Sequence, residues 1–354
     1  MATINQIKRI ALPLAVAKVT GKPNASRLAI HLAGAPGIGK SACVFQLAKE
    51  VSAAVGFDVP VFEVRGPTLA DPSFVTGIPD ISGTVTVLKR MNILPPENTP
   101  CILFIDELGA THPQIRNALT QVIYDLKAGE YQLDPRTFII TAGNRVTDRA
   151  GATKLETHVA NRLRHFTIEA DLVEWQTYIA DKGMNPLIVA FLDQHPDLLH
   201  KFDPKSDDPA FPSPRTWEEV AIDMELLHNP NDLLMSVASL VGEGPATMFQ
   251  AFMLQAATLP KWEDQRTKNP KEWGEELKKM ESSVQYTAMT MFANAVKDKD
   301  DVDWAVEALE TVSPELTVGF ANMANTVFRK FAVTSKSPKL LAFAKRTGAD
   351  LFRA

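Results

Sequence analysis

Short apolar runs alternate with stretches of helical periodicity through the first half of the chain, and the alternation stops near residue 170. Leu28 to Ala33 is an apolar run of strand length, and Ala42 to Val55 follows it with Val44, Leu47, Ala48 and Val51 at helical spacing. Val59 to Val64 reads as a second strand, closed by Gly66-Pro67. From Asp71 to Pro100 the chain is rich in Pro, Gly and Asn, yet Thr84 to Leu88, after the Ser82-Gly83 turn, has the pattern of one arm of a β-hairpin. This segment is expected to protrude from the core. Cys101 to Ile105 is uninterrupted and apolar, which suits the centre of a parallel sheet covered on both faces. Thr111 to Leu126 is a helix by spacing, with Pro113 in its first turn. Gly129 to Leu133 is a short extended piece, and Thr137 to Ala142 is a strand that ends at Gly143-Asn144. Arg145 to Gly151 reads as a loop, Glu156 to Leu163 as a helix and His165 to Ile168 as a last strand. Strands alternating with helices predict a parallel α/β sheet.

Beyond Asp171 no strand pattern is convincing. Leu172 to Ala180, Pro186 to Gln194 and Trp217 to Leu227 have helical spacing, and the remainder is helical with a charged stretch from Lys261 to Lys279. Ser213-Pro214 is an N-cap and first-turn pair, which puts Arg215 in the first turn of a helix. The expected organisation is an N-terminal helix and linker (1–27), an α/β core (28–170), an all-α lid (171–245) and C-terminal helices (246–354). Met1 to Thr20 reads as an amphipathic helix and not as a signal peptide, because Lys18 follows the apolar run and no cleavage site is evident.

Composition narrows this picture only modestly. At 354 residues and 45% hydrophobic, the chain can bury cores for two or three domains. The net charge of −5 gives no general reason to expect a nucleic-acid partner. Cys43 and Cys101 fall in a helix and a strand and read as core, against a disulfide framework or a cysteine metal site. His158, His165, His195 and His200 lack metal-ligand spacing, and there is no G-x-S-x-G elbow. No apolar run reaches membrane-spanning length, so a cytoplasmic protein is expected.

The chemistry begins at Gly34-Ala35-Pro36-Gly37-Ile38-Gly39-Lys40-Ser41, which fits G-x-x-x-x-G-K-[ST] between a strand and the helix opened by Ala42. Glycines there let backbone N–H groups turn inward around phosphates, and the helix N-terminus adds partial positive charge. Gly34, Pro36, Gly37, Ile38, Gly39, Lys40, Ser41 and Ala42 are thus the candidate nucleotide-binding residues, with Lys40 directed at β- and γ-phosphates and Ser41 at Mg²⁺. The strand ending in Asp106-Glu107 supplies a metal-side carboxylate, Asp106, and a candidate base, Glu107, to orient and deprotonate water. Asn144 joins them if its strand lies between those carrying Lys40 and Glu107.

These residues, with Ala160-Asn161-Arg162-Leu163-Arg164-His165-Phe166 and Pro214-Arg215, resemble the AAA+ ATPases, and within them the MoxR-type branch. Gly129 to Pro135 and the hairpin insertion before the Asp-Glu strand add to that likeness, which covers about Leu28 to Val220. The resemblance implies a P-loop NTPase core with a hairpin insertion, an all-α lid, and ATP with Mg²⁺ as cofactors. It implies that Asn144 is a first sensor, that Arg215 is a second sensor on the lid, and that an arginine finger precedes the last strand. Arg162 matches that place and Arg164 competes for it; surface charge flanking a strand is the plain alternative for both. Arg145 and Arg149 fit inter-subunit or loop charges better than catalytic ones. The chain departs from the pattern at Phe74, where an acidic residue is expected, leaving a hairpin anchor or an exposed grip as its role.

The implied function is an ATP-hydrolysing ring motor or chaperone, a homo-oligomer of six subunits, that remodels a protein client, with a von Willebrand A domain protein as partner. A nucleic-acid motor is opposed by the acidic balance and the lack of a DNA-reading module. An ATP-gated scaffold with negligible turnover is opposed by Glu107 and Arg162.

Overall fold

The computed structural model describes residues 1–148, 153–349 and 351, and divides into two compact units. One comprises Met1–Ala170 with Asp203–Ser206, the other Asp171–Phe202 with Asp207–Ala354.

The first unit is a three-layer α/β structure. Helix α1 (Ile4–Val19) leads into strand β1 (Ala29–Ala33), helix α2 (Lys40–Val55), β2 (Val61–Arg65), the short helix α3 (Ser73–Thr76), and strands β3 (Ile78–Asp80), β4 (Val87–Lys89) and β5 (Ile102–Asp106). Helix α4 (Pro113–Asp125), β6 (Lys127–Ala128), β7 (Tyr131–Gln132), β8 (Phe138–Gly143), α5 (Thr157–Ala160) and β9 (Leu163–Thr167) complete it. The main sheet is parallel in the order β2-β5-β8-β1-β9. Alternation along its strands feeds two separate cores. Ile30, Leu32, Ile102, Phe104 and Ile140 pack against α1 and α2, while Leu103, Ile105 and Ile139 pack with Ile115, Leu119, Val122 and Ile123 of α4. That double burial is why the strands read as continuous apolar runs.

The N-terminal helix belongs to this unit. Thr3 and Gln6 form a reciprocal capping box, Ile7, Ala11, Ala15 and Val19 are buried, and Lys8 pairs with Glu50 of α2 at 2.9 Å. Ala2 bridges to Ile168, extending the sheet edge at β9.

Several boundaries differ from the periodicity: the second strand runs Val61–Arg65 and not Val59 to Val64, and the hairpin arm expected at Thr84 to Leu88 is strand only over Val87–Lys89. The last strand begins at Leu163, two residues before the expected start, because Leu163 is buried in the α4-side core. Helix α5 is accordingly cut to Thr157–Ala160. The insertion forms the antiparallel pair β3-β4, with Ile78 opposite Lys89, and Phe74 sits half-buried in α3 beside the buried Val75. Ile81 and Val85, between those strands, are 80% and 71% exposed, which makes the turn an apolar tip.

The second unit is helical. It runs α6 (Leu172–Asp181), α7 (Pro186–Gln194), α8 (Pro214–Leu226), α9 (Pro230–Val241), α10 (Glu243–Ala256), α11 (Trp262–Arg266), α12 (Pro270–Lys278), α13 (Ser282–Ala295), α14 (Lys299–Val312), α15 (Pro314–Asn322), α16 (Phe331–Thr334) and α17 (Pro338–Thr347). Several helices open with a capping Asn or Ser followed by Pro, as at Asn185-Pro186, Ser213-Pro214, Asn229-Pro230 and Ser337-Pro338. Phe191 of α7 lies 5.4 Å from Trp217 of α8 and 5.1 Å from Phe249 of α10, so these three helices share one aromatic centre. A second centre gathers Trp262, Phe292 and Trp304. Among the described residues no helix is long and apolar enough to cross a membrane.

Candidate functional site

The segment between β1 and α2 lies outside the carboxyl ends of the parallel strands, where α/β sheets open a crevice. Its backbone depends on missing side chains. Gly39 caps α2 at φ +93°, a left-handed conformation that an L side chain would strain, and a Cβ on Gly34 would stand 2.4 Å from Ile38 Cδ1 and 3.0 Å from Ile168 O. With Ile38 buried beneath it, the loop turns tightly into the helix, whose first N–H groups have no partner within the helix.

Lys40 begins α2 and reaches back into the loop. Its ammonium donates to Gly34 O, Ala35 O and Asn144 Oδ1, each at 2.9 Å. Asn144 can do this because β8 lies between β5 and β1, which sets the residue after Gly143 beside the loop. Ser41 Oγ donates to Asp106 Oδ2 at 3.2 Å, joining the loop to the end of β5. Asp106 Oδ1 accepts from the Glu107 N–H at 2.9 Å. Glu107 itself has φ +56° and ψ +38°, a left-handed conformation uncommon for a residue with a side chain, and Thr111 Oγ1 donates to its carbonyl at 3.0 Å. The turn leaves the Glu107 side chain exposed at the strand end.

The donor set fits a phosphate and a hard cation. Lys40 and the α2 N-terminus offer N–H donors to an anion, and the Ser41 hydroxyl with the Asp106 carboxylate forms an all-oxygen pair of the kind Mg²⁺ takes while keeping its waters and phosphate ligands. Lys40, Ser41, Asp106, Glu107 and Asn144 are brought together, with Gly34, Pro36, Gly37, Ile38 and Gly39 forming the loop and Ala42 the exposed third residue of α2.

The remaining expected residues stand elsewhere. Arg162 stacks its guanidinium 4.2 Å over the ring of Tyr124. Arg164 falls inside β9, opposite Ile30, and donates from Nη2 to Ser26 Oγ at 3.2 Å, while its buried Nε has no acceptor. Arg145 closes its own turn on Asp148 at 3.0 Å. Arg149 lies outside the described residues. Arg215 is the exposed second residue of α8 in the helical unit, next to the Ser213 capping box.

Two residues near the site escaped the sequence reading. Arg65 ends β2 in register with Asp106; Glu63 holds it at 2.9 Å and, followed by Asp106 and Glu107, strengthens its hold on the proton. Only strand register reveals it. His31, 7% exposed in the strand that feeds the loop, has Nδ1 2.8 Å from Thr141 Oγ1 and its ring centroid 5.5 Å from that of His165. Burial first, then His165 and Lys40, push its pKa down to about 4, so it is neutral at physiological pH. A lone polar residue in an apolar strand was the available signal.

Residues 30–166 match the family model described as "ATPase family associated with various cellular activities (AAA)", a span that runs from β1 to β9. No curated protein matches the chain. Among solved structures, a Thermotoga maritima RuvB mutant is 14% identical over 79% of this chain and 80% of its own, with a TM-score of 0.36. C. elegans PCH-2 is 13% identical over 72% and 70%, with a TM-score of 0.36. The E. coli HORMA, CdnC and Trip13 complex contributes a chain 14% identical over 68% and 90%, with a TM-score of 0.39.

Proposed function

We propose that this chain is an ATP-hydrolysing motor that works as a homo-oligomeric ring, of six subunits in the MoxR-type reading, and remodels a protein client. The observation that carries the proposal is the convergence of Lys40 with Asn144 and of Ser41 with Asp106 at one end of the sheet, within the span matched by the AAA family model.

ATP binds with its phosphates in the loop, where Lys40 exchanges its carbonyl and amide acceptors for β- and γ-phosphate oxygens. Ser41 and Asp106 would hold Mg²⁺, which would supply charge neutralisation at the phosphates. Asn144, released from Lys40, orients a water. Glu107 takes that water's proton as its oxygen bonds the γ-phosphorus and the bond to ADP breaks. Arg215 reports on the γ-phosphate from the helices of residues 171–245, acting as a lid, and Arg162 neutralises transition-state charge in the neighbouring subunit's site, with Arg164 as its competitor. Arg162 lies over the Tyr124 ring and has no ion-pair partner among the described residues, which leaves its charge available to a neighbouring subunit.

The exposed Ile81 and Val85 at the hairpin tip suit contact with an unfolded or extended client. A partner with a von Willebrand A domain rests on the sequence resemblance alone.

Steady-state phosphate release tests the reading. Wild type should turn over ATP, Glu107→Gln should lose about 10²-fold or more while keeping ATP affinity, and Arg162→Ala should be inactive alone but regain activity when co-assembled with Glu107→Gln. Wild-type release no faster than that of Glu107→Gln overturns the motor; absence of complementation overturns Arg162 in trans.

A further inference from the structure

At the amino ends of the strands, away from the phosphate loop, the surface opens into a cleft of about 350 Å³. Its wall includes Lys18 from the last turn of α1, Ser26 and Arg27 from the linker, Tyr124 and Asp125 from α4, and Gln132 from β7. Leu28 and Phe138 supply apolar surface.

The charges here are not balanced from within. Lys18 is half-buried, and burial and then the like charge of Arg27 lower its pKa, with no carboxylate among the described residues offsetting them. Asp125 contributes an exposed acid to the same wall. A third cation adjoins the cavity, because Arg164 donates to the hydroxyl of the wall residue Ser26 and leaves its buried Nε without an acceptor. Two cations facing one concavity repel each other, and the half-buried Lys18 also loses hydration, whereas Arg27 stays exposed. An anion from outside the chain offsets the Lys18 and Arg27 charges that line the cavity, while Arg164 reaches it only through the Ser26 hydroxyl.

The donor set says which anion. The Lys18 ammonium, the Arg27 guanidinium fork and the Ser26 hydroxyl line one wall, a donor set that suits a phosphate with several acceptor oxygens, whereas the Gln132 amide is already spent on the carbonyls of Asp125, Leu126 and Leu133. The volume lies in the range of small-molecule sites, and the mixed wall leaves room for an organic group beyond the anion. We propose that this cavity binds a small organic phosphate of mononucleotide size, with Lys18 and Arg27 on the phosphate and the organic part against Leu28 and Phe138. Because Tyr124 also carries Arg162 on its ring, occupancy bears directly on the position of that arginine. The binding site does not depend on hydrolysis at the phosphate loop.

Calorimetric titration of the Lys40→Ala chain with inorganic phosphate and with AMP separates this cavity from the loop and the free anion from its organic ester. AMP is expected to saturate at one site per chain, about tenfold tighter than phosphate. Adding Lys18→Gln and Arg27→Gln should weaken it by at least about tenfold, and Arg27→Gln alone, an exposed change that leaves packing untouched, should weaken it measurably. No saturable binding up to about 10 mM, a weak-site limit on the affinity scale, overturns the proposal. So does binding that the double variant retains. Equal affinity for phosphate and AMP overturns the organic part of the assignment.

Discussion

The two ends of the same parallel strands treat positive charge in opposite ways. At the carboxyl ends, Lys40 has three oxygen acceptors at 2.9 Å and Ser41 is already bonded to Asp106, so the site is set before any phosphate arrives. At the amino ends, Lys18 and Arg27 share a cavity wall with no carboxylate among the described residues offsetting the lysine. In the proposed function the first end exchanges internal partners for a ligand. The second lacks a counter-charge. A preorganised site can release Asn144 when phosphate takes Lys40, and so has a group to move; an unbalanced site gains most from simple occupancy.

The largest expected effect breaks that comparison most directly. Lys40→Ala should weaken ATP binding by about 10³-fold, or ~4 kcal/mol, in equilibrium binding, while AMP affinity at the opposite cavity stays as in wild type. If both sites lose affinity together, the two ends are not independent and the contrast fails.

His31 sharpens the comparison from the middle of the sheet. Its folded pKa of about 4 lies below the unfolded value of 6.5, so the unfolded chain binds the extra proton more readily. Its contribution is neutral above pH 6.5, and stability falls as pH drops from about 6.5 toward 4, by up to about 3 kcal/mol, before levelling. Urea unfolding of wild type against His31→Gln across that window reads it out. A variant that loses stability with the same slope would remove His31 as the cause.

Much of the phosphate-loop end was legible because its chemistry is contiguous or sits at strand ends. Gly34 to Ser41 is one motif between a strand and a helix, and Asp106-Glu107 closes a run that could only be a buried strand. The helix start at Ser213-Pro214 was equally readable, since a cap and its proline are adjacent. The expectations that failed were boundaries: Leu163, for one, joins the strand because a core accepts it, which periodicity in a short segment does not reveal. Arg65 beside Asp106 follows from strand register. The cavity at the amino ends was illegible for the same reason in stronger form. Lys18, Arg27, Tyr124 and Gln132 come from separate elements, and nothing in their spacing announces that they meet.

The smallest expected effect tests whether the amino-end charges are unbalanced at all. If no internal carboxylate compensates Lys18, then Lys18→Gln should not destabilise the protein in the absence of added phosphate. It should raise stability by about 0.5 kcal/mol, the scale of a partly screened charge pair. The sign follows from the burial and Arg27 repulsion that lower the lysine's pKa, both of which disfavour its charged form in the folded state. The gain should shrink as salt screens the repulsion. Urea midpoints at low and high ionic strength measure it, and phosphate should reverse the order, stabilising wild type more than the variant by mass action. A loss of stability at low salt would mean that Asp125 already serves as the lysine's counter-charge. Both ends of the sheet would then be internally matched, and the cavity would hold no deficit for a ligand to fill.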